Sequence, residues 1–569
     1  MYKRLIILTI GLLASMSILA EDVQNVKPVK NVIVLIPDGC SISTVSTARW
    51  YQWITNPEKE HLALDPYICG SVRTSCSDAP IGDSAPTTSC YMTGYMTRSG
   101  WVSTYPPSNQ QNDIYPTDPN RTYQPLTTIL EAAKQLFGKS TGLVCTCEFP
   151  HATPADCSAH SYDRGAYQWI MPQQAHNEVN VLIGGGAGIL PKDCQNYLEG
   201  NGWGVFKDDI NAMRTYSGDN MWALFAYKDV PYEIDRDAEK YPSIAEMTSI
   251  AIEKLSHNKK GFFLMVEGSK VDWAAHDNDL PGMIHDYIAF DEACRVAFEF
   301  AKKDGNTAVI VVPDHSNSGI SIGRRDLGSY STMSKDQIFG ALTKLKASAA
   351  KVAGIVNSTP FDQVQNVFKE WCGFELKDNE LEVLKNNGEY RQSPIPREQR
   401  KYTPGPFYNT GLTRTICQFM SARTGIGFTT NGHTGEEVFL AAYHPQRDSR
   451  PYGMLTNVEL NHYLCSLFGI THDDLDKLTD KNFAPHTEVF KGMSFETKDV
   501  TVADKTTKQL IVKGTNNELA ITPFCNYVEV ATMKGNIRNV EIVKLPSVTV
   551  YVDKNKTFYL PRSVKDLLK

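Results

Sequence analysis

Residues 82–88 (GDSAPTT) place a serine between an acid and a small residue, with a proline two positions later. Pro86 suits the first turn of a helix, because the N–H that it lacks would have no partner there. The other N–H groups and the positive end of the helix dipole would face an incoming anion. Ser84 is therefore a candidate nucleophile, although an Asp-Ser pair at a helix start is more often only a cap.

Residues 267–276 (EGSKVDWAAH) contain a pair with metal-ligand spacing. Asp272 and His276 are four positions apart, so on a helix they share one face and can hold one metal ion. An isolated pair of this kind is usually a surface hydrogen bond, but this one follows Glu267 within one continuous motif. His433 could supply a distant third ligand, because three ligands with one open position is the arrangement of catalytic zinc.

Unbroken apolar runs predict the strands that position these residues. They lie at 31–36, 141–144, 179–183, 262–266 and 307–312 and are rich in β-branched residues, as strands covered on both faces are. Helical patterns lie between them, for example over 283–302. We therefore predict an α/β fold, a three-layer sandwich with a mainly parallel central sheet.

Acidic residues follow three of these runs. Asp38 comes after the first, Glu267 directly after the fourth, and Asp314-His315 just after the fifth. The carboxyl ends of strands form the ligand crevice in open α/β sheets, so these side chains should meet at one edge. A single acid in such a place is usually a turn residue, but three of them are harder to attribute to turns.

The domain organisation follows from changes in composition. We predict a signal peptide over 1–20, a catalytic domain over 21–489 and a small β-rich C-terminal domain over 490–569, where short alternating stretches replace the long apolar runs. Two insertions are expected in the catalytic domain: a surface loop over about 101–125, and a cap-like segment over about 332–425 with helical patterns at 338–352 and 361–371.

The N-terminus and the composition limit the classes of function that this protein can have. Lys3 and Arg4 precede an apolar run that ends in small residues near Ala20, as in a secretory signal peptide, so we expect an exported, periplasmic or secreted protein. The formal net charge of −7 argues against nucleic-acid binding, and no later stretch is apolar enough to span a membrane. Thirteen cysteines in an exported chain predict some disulfides and at least one free thiol.

The sequence resembles the alkaline phosphatase family. The matching motifs occur in the order of the family between about residues 31 and 445, and they are 36–39 (IPDG), 83–85 (DSA), 151–155 (HATPA) with Arg164 beyond, 267–276 (EGSKVDWAAH), 314–315 (DH) and 433–435 (HTG). The resemblance implies a metal-dependent phosphomonoesterase that forms a phosphoserine on Ser84. It also implies small phosphomonoester substrates and a homodimer.

The resemblance further implies two zinc ions and one magnesium ion. The metal ligands that it implies are Asp272, His276 and His433 for the first zinc, Asp38, Asp314 and His315 with Ser84 for the second, and Asp38, Thr153 and Glu267 for the magnesium. Imidazole with carboxylate suits zinc, and all-oxygen sites suit magnesium. Arg164 would hold the phosphate. His151 and Trp273 occupy positions that vary across the family, and they would lie behind the ligands. Because of these two residues, cobalt is an alternative occupant of the zinc positions.

Two other readings remain. A phosphodiesterase or sulfatase of the same superfamily is opposed by Arg164, which would fill the place of a second ester group, and by the lack of a Cys-x-Pro-x-Arg run. A non-catalytic surface protein whose C-terminal domain binds a glycan or partner is opposed by the intact Ser84 and the complete set of metal ligands.

Overall fold

The computed structural model describes residues 26–108, 113–325, 327–401, 411–534 and 537–568, and the predicted signal peptide lies outside these ranges. The strands are β1 Asn31–Pro37, β2 Ile68–Arg73, β3 Ser140–Glu148, β4 Val181–Gly185, β5 Gly204–Lys207, β6 Met221–Phe225, β7 Phe262–Gly268, β8 Thr307–Val311, β9 Ser316–Asn317, β10 Ser321–Ile322, β11 Ile426–Gly427, β12 His433–Thr434, β13 Val438–Tyr443, β14 Gly453–Thr456, β15 Ala484–Pro485, β16 Phe495–Val502, β17 Lys505–Lys513, β18 Asn517–Ile521, β19 Tyr527–Lys534, β20 Ile537–Lys544, β21 Val550–Val552 and β22 Thr557–Leu560.

The helices cover both faces of the main sheet and build most of the inserted segment. They are α1 Ile42–Thr55, α2 Ser84–Thr93, α3 Ile129–Phe137, α4 Ala152–Ser158, α5 Tyr167–His176, α6 Lys192–Gly200, α7 Ile210–Thr215, α8 Ile244–Ser256, α9 Lys270–Asp277, α10 Leu280–Asp304, α11 Lys335–Phe339, α12 Ala349–Ser358, α13 Val364–Cys372, α14 Asp378–Asn386, α15 Leu412–Ser421, α16 Asn457–Leu467, α17 His472–Asn482 and α18 His486–Val489. No helix among the described residues has the length and apolar character that crossing a bilayer requires.

The central sheet has ten strands in the order β14-β2-β13-β8-β1-β7-β3-β4-β6-β5. All neighbours are parallel except β13, which runs antiparallel to β2 and β8. Alternate residues of β1 enter two different cores: Val32 and Val34 pack on one face, and Ile33 and Leu35 on the other. Burial on both faces explains the continuous apolar runs, and the predicted three-layer α/β sandwich is confirmed.

The inserted segment packs against the ends of α9 and α10 through its own apolar core, which includes Leu280, Met283 and Phe368. Its predicted helix over 338–352 is wrong. α11 ends at Phe339, and α12 begins only at Ala349, after the side chain of Ser348 accepts a hydrogen bond from Lys351 N at 3.1 Å. A capping serine therefore interrupts a pattern whose apolar spacing alone is compatible with one helix.

The C-terminal part is β-rich, as predicted. Strands β16 to β20 form a five-stranded antiparallel sheet, and β15, β22 and β21 form a second sheet of three strands. The two sheets share a core that includes Leu510, Val528 and Phe558.

The expectation of disulfides is wrong. All thirteen cysteines are free thiols, and all except Cys69 are buried. They are distributed through the cores, where a thiol packs as a small apolar side chain.

Candidate active site

The candidate nucleophile lies at the start of α2. Asp83 caps this helix, and its Oδ1 accepts a hydrogen bond from Ser84 N at 2.8 Å. Ser84 Oγ lies 3.5 Å from both carboxylate oxygens of Asp38 and 3.5 Å from His315 Nε2. The helix start thus presents a hydroxyl to the carboxyl end of the central sheet, where β1 delivers Asp38.

Asp272, His276 and His433 form a first group whose ligand atoms lie within 4.8 Å of one another. His276 Nδ1 is 2.8 Å from Asn431 O, and His433 Nδ1 is 2.9 Å from Gly82 O. Because a carbonyl only accepts, each Nδ1 carries a proton and each Nε2 is directed at the shared space, where the two Nε2 atoms are 3.2 Å apart. This is how proteins orient imidazole for a metal ion.

The hydrogen bond between Asp272 and His276 sets the charges of this group when no cation is present. It raises the pKa of His276 to about 9. Burial works against ionisation of Asp272, but His276 and the other two imidazoles hold the pKa of its carboxyl well below the ordinary value. Asp272 therefore stays anionic, and a cation would take the place of the proton on His276.

Asp38, Asp314 and His315 form a second group, and all three side chains are fully buried. His315 Nε2 is 3.3 Å from Asp38 Oδ1 and 3.5 Å from Asp314 Oδ2. Asp314 Oδ1 accepts hydrogen bonds from Gly39 N and His315 N, whereas its Oδ2 has no hydrogen-bond partner among the described residues. Such an oxygen, buried and without a partner, fits a ligand of a cation.

Asp38, Glu267 and His151 form a third group at the end of β7. Within the described part of the chain, Glu267 Oε1, His151 Nδ1 and the nearby Thr153 Oγ1 are buried without a hydrogen-bond partner. Burial raises the pKa of Glu267 to about 7 and that of Asp38 well above its ordinary value, and the charge of Asp314 raises the pKa of Asp38 further. A divalent cation between these crowded carboxylates would favour their ionised forms.

Arg164 lies beside the nucleophile. Its Nη1 donates to Asp83 Oδ1 at 2.6 Å, and its Nη2 is 3.4 Å from His151 Nε2. The His151 ring packs edge-on against Trp273 at 5.6 Å between centroids, and Lys270 Nζ lies 4.3 Å from the Trp273 ring centre. The structure thus brings Arg164 next to Ser84, and it places His151 within the third group and Trp273 behind it.

Two contacts of the ligand residues were missed by sequence reasoning. Asn317 Nδ2 donates to Asp272 Oδ1 at 2.7 Å, and Cys147 Sγ donates to Glu267 Oε2 at 3.3 Å. Cys147 lies near the carboxyl end of β3, and β3 pairs with β7, which carries Glu267. Its position after an apolar run was the sequence signal that could have indicated this contact. Asn317 is held beside His433 by the pairing of β9 with β12, which no local pattern indicates.

Comparisons with known proteins agree on one family. The sequence model described as alkaline phosphatase matches residues 29–469. Alkaline phosphatase 3 of Bacillus subtilis is 30% identical over 451 residues, which are 77% of this chain and 88% of that protein. The structure of a cold-active alkaline phosphatase from a psychrophilic Shewanella sp. is 25% identical with a TM-score of 0.65, over 77% of this chain and 99% of that one. Thermus thermophilus alkaline phosphatase shares the fold at 24% identity and a TM-score of 0.66, over 79% of this chain and 95% of that one.

Proposed function

Because this chain belongs to the alkaline phosphatase family, we propose that it is an exported, metal-dependent phosphomonoesterase that forms a phosphoserine on Ser84. The observation that carries the proposal is the position of Ser84 Oγ, 3.5 Å from Asp38 and His315, where the second and third ligand groups meet. A homodimer and a periplasmic or secreted location complete it. Sedimentation and cell fractionation test these two parts.

The donor sets support two Zn²⁺ and one Mg²⁺, with Co²⁺ as an alternative at the zinc positions. Asp272, His276 and His433 would hold one zinc, Asp38, Asp314 and His315 the other, and Asp38, Thr153 and Glu267 the magnesium. Mixed imidazole and carboxylate groups suit the first two positions, and oxygen atoms suit the third. When bound, these ions supply Lewis-acid chemistry, offsetting the charge that develops on the attacking and departing oxygens.

The residues of the chain position the phosphate for in-line displacement. Ser84 Oγ forms a bond to phosphorus while the bond to the ester oxygen breaks on the opposite side, and water later cleaves the phosphoserine to release phosphate. The N–H groups at the start of α2 face the developing charge. Arg164 offers a planar pair of donors to two non-bridging oxygens, and Asp83 holds that guanidinium in place.

The phosphodiester alternative is disfavoured by the position of Arg164. Its guanidinium is anchored to Asp83, the residue before Ser84. We expect it to occupy the space into which a second ester substituent would project. A comparison of p-nitrophenyl phosphate with bis(p-nitrophenyl) phosphate separates the two readings. We expect faster hydrolysis of the monoester, loss of activity on chelation, and recovery with zinc and magnesium. A faster diester rate would favour the diesterase.

The nucleophile is tested by Ser84→Ala. We expect turnover of p-nitrophenyl phosphate to fall by several orders of magnitude, because the hydroxyl forms the covalent intermediate. Metal content, measured by plasma mass spectrometry, should stay at the wild-type level. Ser99→Ala removes a hydroxyl that donates to Asp78 in an exposed loop, and it should leave both quantities unchanged. Wild-type turnover in Ser84→Ala would refute the assignment.

A further inference from the structure

A cleft of about 630 Å³ opens beside the first ligand group. Its walls are continuations of the segments that carry candidate ligands: Asp277 and Asn278 follow His276, and residues 429–431 precede His433. The segment 321–325 after Asp314 and His315 forms another wall. Helix α15 of the inserted segment and β11, which directly follows the segment, form the remaining wall, so the inserted segment lies next to the site.

The cleft and the first ligand group are joined by hydrogen bonds. Asn431, which lines the cleft, contacts His276 Nδ1 through its carbonyl oxygen and donates from Nδ2 to His276 O at 3.1 Å. The first ligand group is also the more exposed part of the site: the His276 side chain is 36% exposed, whereas Asp38 and His315 are fully buried. A leaving group on the side of His276 would therefore lie next to the cleft.

The charge of the lining favours an anion. Arg324, Arg325 and Arg414 line the cleft, and Asp277 is its one acidic residue among those described. Arg414 Nε donates to Asp277 Oδ1 at 2.9 Å, and among the described residues this is the ion pair that its guanidinium makes. Arg325 is exposed at the rim. Phe428 adds partly exposed apolar surface on which a carbon skeleton can rest.

We propose that this cleft binds the leaving group of the phosphate monoester and selects leaving groups that carry a second anionic group, a carboxylate or another phosphate. The proposal rests on the proposed function, because it takes the displacement by Ser84 as its starting point. In that displacement the leaving oxygen lies opposite Ser84, on the side of Asp272, His276 and His433. Arginine suits the role, since its planar group binds carboxylate and phosphate with two parallel hydrogen bonds.

The experiment compares kcat/KM for 6-phosphogluconate and sorbitol 6-phosphate, which differ only in a terminal carboxylate in place of CH₂OH. The wild-type enzyme should prefer 6-phosphogluconate at low ionic strength, and added salt should reduce the preference because the arginines are open to solvent. In the double variant Arg325→Ser/Arg414→Gln the preference should fall about fivefold, as expected for exposed ion pairs. The glutamine retains an amide donor for Asp277.

Sorbitol 6-phosphate reports on folding and on the catalytic centre, and its kcat/KM should be the same in the double variant and the wild type. Arg295→Gln removes an exposed, ion-paired arginine on α10 outside the cleft, and it should leave the preference unchanged. Equal use of the two esters by the wild type, or an unaltered preference in the double variant, would overturn the cleft proposal alone. Failure to hydrolyse either ester would overturn the proposed function and, with it, the cleft proposal.

Discussion

At the scale of single residues, the histidines of the site are oriented by the nitrogen that faces away from it. His276, His433 and His315 each place Nδ1 on a main-chain carbonyl oxygen, at 2.8, 2.9 and 3.2 Å. Three rings from separate segments thus direct Nδ1 to the main chain and turn Nε2 inward. The carbonyl partners are main-chain atoms of any residue type, so the sequence could identify the histidines but not their orientation.

Gly39 gives a residue-scale prediction. Its φ is +62°, and a Cβ at this position would lie 2.2 Å from Asp272 Oδ1. Gly39→Ala must therefore displace a carboxylate of the first ligand group. We expect reduced zinc content and a loss of about 1–2 kcal/mol for the left-handed backbone alone, measured by plasma mass spectrometry and by urea unfolding.

The matched control is Gly305→Ala, where φ is +70° and no atom lies within 4 Å of the added Cβ. Gly305→Ala should lower the free energy of unfolding by the same backbone contribution. Its zinc content should equal that of the wild type. Equal zinc content in the two variants would contradict the crowding argument.

At the scale of elements, the sequence predicted the strands and helices whose characteristic residue pattern lies within a short stretch of the chain. All five apolar runs are strands of the central sheet, and α2 and α9 begin where the Ser84 and Asp272 motifs place them. The division of 338–352 into two helices depends on one capping serine, and the pairing of β9 with β12 joins residues more than 110 positions apart. Such features depend on tertiary contacts, which an apolar period does not encode.

Asp279 gives an element-scale prediction. It caps α10 through Gly282 N at 3.2 Å, and its Oδ2 also accepts from Ala349 N at 2.8 Å, at the start of α12. Asp279→Ala should therefore remove a helix cap and leave a buried N–H of the inserted segment without a partner. We expect a loss of about 2–4 kcal/mol in the free energy of unfolding, from urea titration.

Asp209→Ala is the comparison, because Asp209 caps α7 through Ala212 N at 2.8 Å and is exposed there. It should cost only about 1 kcal/mol, the typical value for a lost cap. If the two substitutions cost the same, the bridge to α12 contributes nothing.

At the scale of the whole molecule, the C-terminal sheets support the loop that carries Arg164. Tyr162 Oη donates to Asp553 Oδ1 at 2.5 Å, and the Trp169 ring stacks on Phe524 at 5.0 Å between centroids. Both contacts flank Arg164 in sequence. The sequence of the C-terminal part indicated no function for it. In the structure it contacts residues on both sides of Arg164, the candidate phosphate-binding residue.

Tyr162→Phe tests this connection at the scale of the molecule. Loss of the hydrogen bond to Asp553 should loosen the Arg164 loop and raise KM for p-nitrophenyl phosphate about threefold, as one hydrogen bond of modest net strength would, with kcat little changed. Steady-state kinetics measure both constants. Asp499→Asn, at an exposed ion pair with Lys508 on the five-stranded C-terminal sheet, should leave KM unaltered. An unaltered KM in Tyr162→Phe would exclude the support.

The strand order of the central sheet has a consequence for how the chain acquires its structure. β1 lies between β7 and β8, and β2 lies between β13 and β14, whose residues come more than 360 positions later. Of the first two strands to leave the ribosome, β1 therefore waits for partners from the middle of the catalytic region and β2 for partners from its last third. Pairing over such separations is slow, so refolding from denaturant should take longer than for a domain built of local hairpins. For the export that we propose, a chain that stays open for this long could pass through a translocation channel before it folds.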